Sequence, residues 1–157
     1  MAGPIPRRTA LKVGGSALCG VLAGCTGFRE SRQPVRIKRP SISNWTDQAL
    51  EVDVHVLDDG ETVFWERLPV SGRDPENNGL GGLERPARTQ FPEDEGMYVV
   101  HTQLPFVEHD EPAQKDFARL AAQRNTSCIG MSITIDMWRT DGVDHPSVTI
   151  AHSSGCD

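Results

Sequence analysis

Leu50, Val52, Val54 and Val56 alternate with Glu51, Asp53 and His55. A period of two turns one face of a strand to a core and the other to water. Asp58-Asp59-Gly60 supplies a tight turn, and residues 61–70 return as the second strand of a hairpin. Residues 71–88 carry Gly72, Pro75, Asn77-Asn78-Gly79, Gly81-Gly82 and Pro86, so the spacing predicts mostly loop there. Residues 97–103 alternate again. The clearest strand sets Ile129, Met131, Ile133, Ile135 and Met137 against Gly130, Ser132, Thr134 and Asp136, and Asp141-Gly142 turns it back into residues 147–152. Only residues 112–124 read as helix, with Pro112 at a permitted first position and Phe117, Leu120 and Ala121 on one thin stripe. Short strands separated by Gly and Pro turns predict an all-β chain: an antiparallel β-sandwich of about seven strands with one short surface helix.

The N-terminal pattern is of another kind. Arg7, Arg8 and Lys12 precede a mildly apolar, glycine-rich stretch that ends at Leu22-Ala23-Gly24-Cys25. A charged start, an apolar middle and a small-residue cleavage site make a secretory signal. The run resembles a twin-arginine export signal joined to a lipobox. Pro6 and Ala10 stand where such signals usually carry a Ser or Thr and an aromatic residue. That resemblance implies export through Arg7 and Arg8, cleavage before Cys25, and a lipid on its thiol. The longest uncharged stretch, residues 13–28, has sixteen residues, short of the roughly 20 that a membrane-spanning helix requires. Residues 1–24 are thus expected to be a signal peptide and residues 25–40, with five basic side chains and Pro34 and Pro40, a basic flexible tether. Beside a membrane, such a stretch attracts anionic headgroups. Residues 41–157 remain as the domain.

Charge sharpens this division. The chain as a whole is at −6, but residues 41–157 hold 21 acidic and 8 basic side chains, a net −13. Nucleic acid is therefore excluded as a partner, because that affinity comes from clustered Lys and Arg neutralising phosphates. With 13 Arg against 3 Lys, the acidic body resembles exported proteins of salt-loving archaea, whose surface carboxylates keep them soluble when salt screens charge.

Within the body, Glu95-Gly96-Met97-Tyr98 is similar to the turn before a late strand of immunoglobulin-like sandwiches, with Val100 at the following core position. Trp65 lies eleven residues after Val54, a spacing similar to that between the early core position and the buried Trp of such domains. The resemblance spans residues 50–103 and implies structural roles for two residues: Tyr98 buried with its hydroxyl bonded across the corner, and Trp65 in the core. The usual inter-sheet cysteines are replaced by aliphatic residues.

Cleavage and lipidation would leave Cys128 and Cys156, an even count in a compartment where disulfides persist. A two-residue turn at Asp141-Gly142 pairs residues whose numbers add to 283, placing Ile135 opposite Val148 and Ile133 opposite Ile150. The two cysteines add to 284, so a disulfide requires one extra residue in the returning strand, and Gly155 is suited to the left-handed bulge conformation. Two N-x-[ST] triplets make Asn44 and Asn125 candidate glycosylation sites.

Catalytic signatures are missing: the sequence has no G-x-S-x-G, H-E-x-x-H or Walker loop. His55 and His101 fall on strands and would meet if those strands are neighbours, although a metal site needs further ligands. Cys128 has no His after it before His145, which excludes a blue-copper arrangement. His109-Asp110-Glu111 and Asp141, Asp144 and His145 are carboxylate-rich loops, read as solvated charge more readily than as cation sites. No cofactor is expected. The expected function is a lipid-anchored surface domain on the outer face of the cell membrane, a non-catalytic module that binds a protein, glycan or solute. The competing expectation is an accessory metal-binding or enzymatic domain using His55, His101 and loop carboxylates.

Overall fold

The computed structural model describes residues 31–74, 76, 82–86, 90–107, 112–140 and 142–156. Nine strands and one helix follow in the order β1 (Arg36–Ile37), β2 (Ser41–Asn44), β3 (Leu50–Asp58), β4 (Glu61–Val70), β5 (Gly82–Glu84), β6 (Tyr98–Gln103), β7 (Ala113–Asp116), α1 (Phe117–Arg124), β8 (Cys128–Thr140) and β9 (Val143–Ser154). They form two sheets. One is antiparallel throughout, in the order β4-β3-β6-β7. In the other, β9 pairs antiparallel along one edge of β8, while β1 and then β2 run parallel along its other edge and β5 closes the far side.

Those parallel pairs depart from the all-antiparallel expectation. Parallel neighbours need a long connection between them, and here most of the chain intervenes: Ser41 to Asn44 lie beside Ser132 to Ile135. The nine strands exceed the expected seven because β1, β5 and β7 are segments of two to four residues with no alternation long enough to read.

The folded region begins ahead of residue 41. Val35 and Ile37 are buried, and Val35 exchanges backbone hydrogen bonds with Gly96 at 3.0 and 3.1 Å. Arg32 donates to the Met97 carbonyl at 3.1 Å and pairs with Asp116. Within the stretch expected to be a tether, residues 35–37 are therefore paired backbone and core, because Val35 and Ile37 supply an apolar face between the basic residues.

The β3–β4 hairpin turns at Asp59 and Gly60, both at positive φ (47° and 92°), the geometry that matches strand twist. Val52, Val54 and Val56 are fully buried and share one core cluster with Ile133 and Ile135 of β8. In the β8–β9 hairpin the register holds from Thr140 opposite Val143 to Gly130 opposite Ser153, every pair adding to 283 as the turn arithmetic requires. Beyond it the register shifts by one. Gly155 sits at φ 86°, bridges Ile129, and donates its N–H to the Cys128 carbonyl at 3.3 Å. Cys128 and Cys156 are thereby brought to a Cα separation of 5.6 Å and joined as a disulfide.

Helix α1 is shorter than the expected 112–124. Asp116 is the N-cap, its carboxylate accepting from the Arg119 N–H at 2.9 Å. Ahead of it, residues 113–116 extend along β6 instead. The capping carboxylate, which satisfies an otherwise orphaned N–H, outcompetes Pro112 as the helix start. Asn125 ends the helix in the left-handed conformation with its N–H on the Ala121 carbonyl.

Candidate functional site

Because Val52, Val54 and Val56 point into the core, the residues between them face outward on the antiparallel sheet. A row runs across all four strands, Trp65–His55–His101–Gln114, each neighbour set by the strand register. Beside it runs a second row, Arg67–Asp53–Gln103.

The second row is a fixed polar unit. Arg67 grips Asp53 with Nε on Oδ1 at 2.7 Å and Nη2 on Oδ2 at 2.9 Å, and Gln103 Nε2 reaches Oδ2 at 3.5 Å. The guanidinium bonds hold the Asp53 carboxyl below the usual carboxylate range, against the opposing effect of burial. A fork-to-fork pair fixes orientation as well as charge. The same guanidinium stacks 5.3 Å from the centroid of the Phe106 ring, a cation–π distance. Phe106 is 75% exposed and Trp65 56% exposed. Two open aromatic rings thus flank a rigid ion pair. Phe106 also walls a groove of about 420 Å3 at the end of the sheet, together with Leu50, Glu51, Val70 and Glu84.

The two histidines do meet. Their ring centroids are 6.2 Å apart, and His55 Nε2 lies 2.7 Å from Thr62 Oγ1. Burial, then the neighbouring His55, pushes the His101 pKa down, favouring its neutral form. Among the described residues no group of three His, Cys, Asp or Glu side chains is placed to hold a metal ion. The Asp144 carboxylate is taken up by Arg139 at 2.8 and 3.1 Å. His109, Asp110, Glu111 and Asp141 lie outside the described residues, as do Arg7, Arg8 and Cys25.

Tyr98 is buried and its hydroxyl donates to the Asp94 carbonyl at 3.1 Å, while Met97 N–H bonds Asp58 Oδ1 at 2.7 Å. The ring covers Gly96 so closely that a Cβ there would come 2.6 Å from it. Burial, then Asp58 and Asp94, raises the Tyr98 pKa. Trp65 corrects the core expectation. From the Asp58–Glu61 pair, an unbroken register would set Trp65 opposite inward Val54. The register instead shifts between Val56 and Leu57, and a slip of one residue reverses the face. Phe64, Leu68 and Val70 go inward and Trp65 out. Arg67 and Phe106, which spacing did not single out, complete the face.

Of the two glycosylation candidates, Asn125 is exposed. Asn44 is not available. Its side chain is fully buried, donating to the carbonyls of Gln48 (2.7 Å) and Val70 (3.4 Å) and accepting from the N–H and hydroxyl of Thr46. The triplet's own Thr46 thus makes Asn44 a core tie. Comparison with protein-family models, with curated proteins and with solved structures finds no match to this chain.

Proposed function

We propose that this chain is a lipid-anchored, non-catalytic binding module of immunoglobulin-like or related β-sandwich fold, held on the outer face of the cell membrane by a lipid on Cys25. Arg7-Arg8 and Leu22-Ala23-Gly24-Cys25 support export and anchoring, and the Tyr98 corner with one core shared by two sheets supports the fold. The observation that carries the binding role is the outward face. Trp65 and Phe106 stay open to solvent beside the Asp53–Arg67 pair. Rigid aromatic anchors with a few fixed polar groups are what recognition surfaces use, and the ordering cost is already met by the sheet. The occupant is a protein, glycan or solute of the extracytoplasmic space.

The test is retention of the purified chain on cell envelopes stripped of the native protein. Trp65→Ala with Phe106→Ala should abolish saturable binding while the melting temperature stays within a few degrees of the parent. Undiminished binding by that double variant overturns the reading. Elemental analysis checks the competing one, since a stoichiometric metal lost on changing His55 and His101 to Ala would make the face a metal site.

A further inference from the structure

Away from the aromatic face lies a second groove, of about 390 Å3, lined by Arg36, Lys38, Arg39 and Arg85 around Ile37 and Phe91, with Glu93 the one acid among the described residues of its lining. Its construction follows from the first described strand. Ile37 and Phe91 are buried at 2% and 5% exposure and form an apolar floor, while Arg36, Lys38 and Arg85 stand exposed around it. Arg39 is oriented by a bond from Nη1 to the Pro86 carbonyl at 3.2 Å. The disulfide at Cys156 borders the groove and ties it to β8, beside which β1 runs. Four cations from two distant stretches of chain converge in a body whose residues 41–157 carry −13.

We propose that this groove is a cradle for the anionic phosphate headgroup of a membrane lipid, and that it sets how the domain sits on the membrane to which Cys25 attaches it. The proposal rests on the anchoring reading above. The acidic body is repelled by an anionic bilayer, so the groove marks the side on which close approach is favourable. Guanidinium forks match phosphate oxygens, and an apolar floor suits the glycerol and upper acyl region beneath a headgroup. Reach agrees with this occupant. Arg32, the first side chain bonded to the body, stands seven positions after Cys25, at most about 25 Å of extended chain, so a tethered domain meets the headgroups at high effective concentration. High salt shortens the range of charge to a few ångströms, and contacts inside a concave site survive where diffuse attraction does not.

The test uses the full chain with Cys25→Ser, so that no lipid contributes, and vesicles of phosphatidylcholine with or without phosphatidylglycerol. Binding should require the anionic lipid, and Arg36→Ser with Arg85→Ser should weaken it about thirtyfold, the sum of two surface cations beside a membrane. Arg73→Ser with Arg124→Ser removes the same charge elsewhere and should leave binding within about threefold. Equal losses in the two double variants mean diffuse charge and overturn the cradle. So does binding indifferent to phosphatidylglycerol. Displacement by millimolar inorganic phosphate would assign the groove to a soluble anion instead. An unchanged melting temperature for Arg36→Ser/Arg85→Ser confirms that the fold is intact. The intact mass of membrane-extracted protein tests anchoring separately: a lipidated Cys25 with no headgroup preference leaves anchoring standing and the cradle refuted.

Discussion

Removing the Cys128–Cys156 disulfide should cost the domain a large part of its stability. The bridge spans a sequence separation of 28, closing a loop of about 29 residues, and the chain-entropy relation then gives about 3.6 kcal/mol at 25 °C. For a domain of this size that corresponds to a fall in melting temperature of roughly 10–15 °C. Cys128→Ser with Cys156→Ser, measured by urea denaturation under oxidising conditions, provides the comparison, and mass spectrometry of non-reduced digests confirms the bridge in the parent. The bulge supplies a second arm. Gly155, at φ 86°, takes a conformation that costs an L side chain about 1–2 kcal/mol, so Gly155→Ala should destabilise the bridged protein by that amount. Without the bridge the end of β9 is free to relax, and the same substitution should cost much less. Non-additivity in this cycle is therefore expected. A loss below about 1 kcal/mol on removing the cysteines would refute the entropic reasoning, and strictly additive effects would refute the coupling of bulge to bridge.

Tyr98→Phe should lose about 0.5–1.5 kcal/mol, the net worth of one hydrogen bond, read as a shift in denaturation midpoint; an unchanged midpoint would mean the Asp94 contact contributes nothing. Trp65→Ala should shift stability by no more than about 0.5 kcal/mol, as for an exposed side chain, whereas a core Trp would cost about 3–5 kcal/mol. Because the Asp53 pKa is lowered in the fold, chiefly by the Arg67 hydrogen bond, the pair stabilises above the ordinary carboxylate value of 3.8. That contribution is lost as pH falls through the depressed folded value. Asp53→Asn should therefore destabilise at neutral pH and flatten the acid limb of the stability profile; an acid limb identical to the parent's would exclude the pair as its source.

What was legible in the sequence follows the length of the alternation. β3 and β8 carry four inward apolar residues each, although Met137, expected on the same face of β8, is exposed; the 283 register of the second hairpin followed from one turn and two isoleucines. The β3–β4 hairpin failed the same arithmetic by one residue. Its turn is just as plain, but the register shift between Val56 and Leu57 has no glycine to announce it, and Val63 is left exposed beside it. Downstream, Phe64, Leu68 and Val70 at even positions did carry the correct face. Weighing that alternation above the spacing from Val54 would have placed Trp65 outside. The parallel strands had no comparable signal, since two- and four-residue segments find their place only through the length of β8 that they cover.

The outward face was half legible for a related reason. His55 and His101 were placed on strands where they would meet if those strands are neighbours, and the adjacency of β3 and β6 brings them together. Arg67 and Phe106 could not be paired that way. One lies on β4 and the other beyond β6, 39 residues later, and only the fold brings the guanidinium to the ring. The shift that turns Trp65 out is also what aligns Arg67 with Asp53. Under the unbroken register Arg67 would stand opposite Val52 and point into the core, leaving an unpaired charge that burial would strongly disfavour. Desolvation of Arg67 thus opposes the unshifted hairpin, and one local irregularity serves both core and surface. Deleting Val63 tests this: without the extra residue an unbroken ladder sets Phe64 opposite Val56, Trp65 opposite His55 and Arg67 opposite Asp53, so the shortened hairpin should keep the Asp53–Arg67 pair, the outward Trp65 and the fold. A deletion variant that loses the ion pair and buries Trp65 would refute this account of the shift.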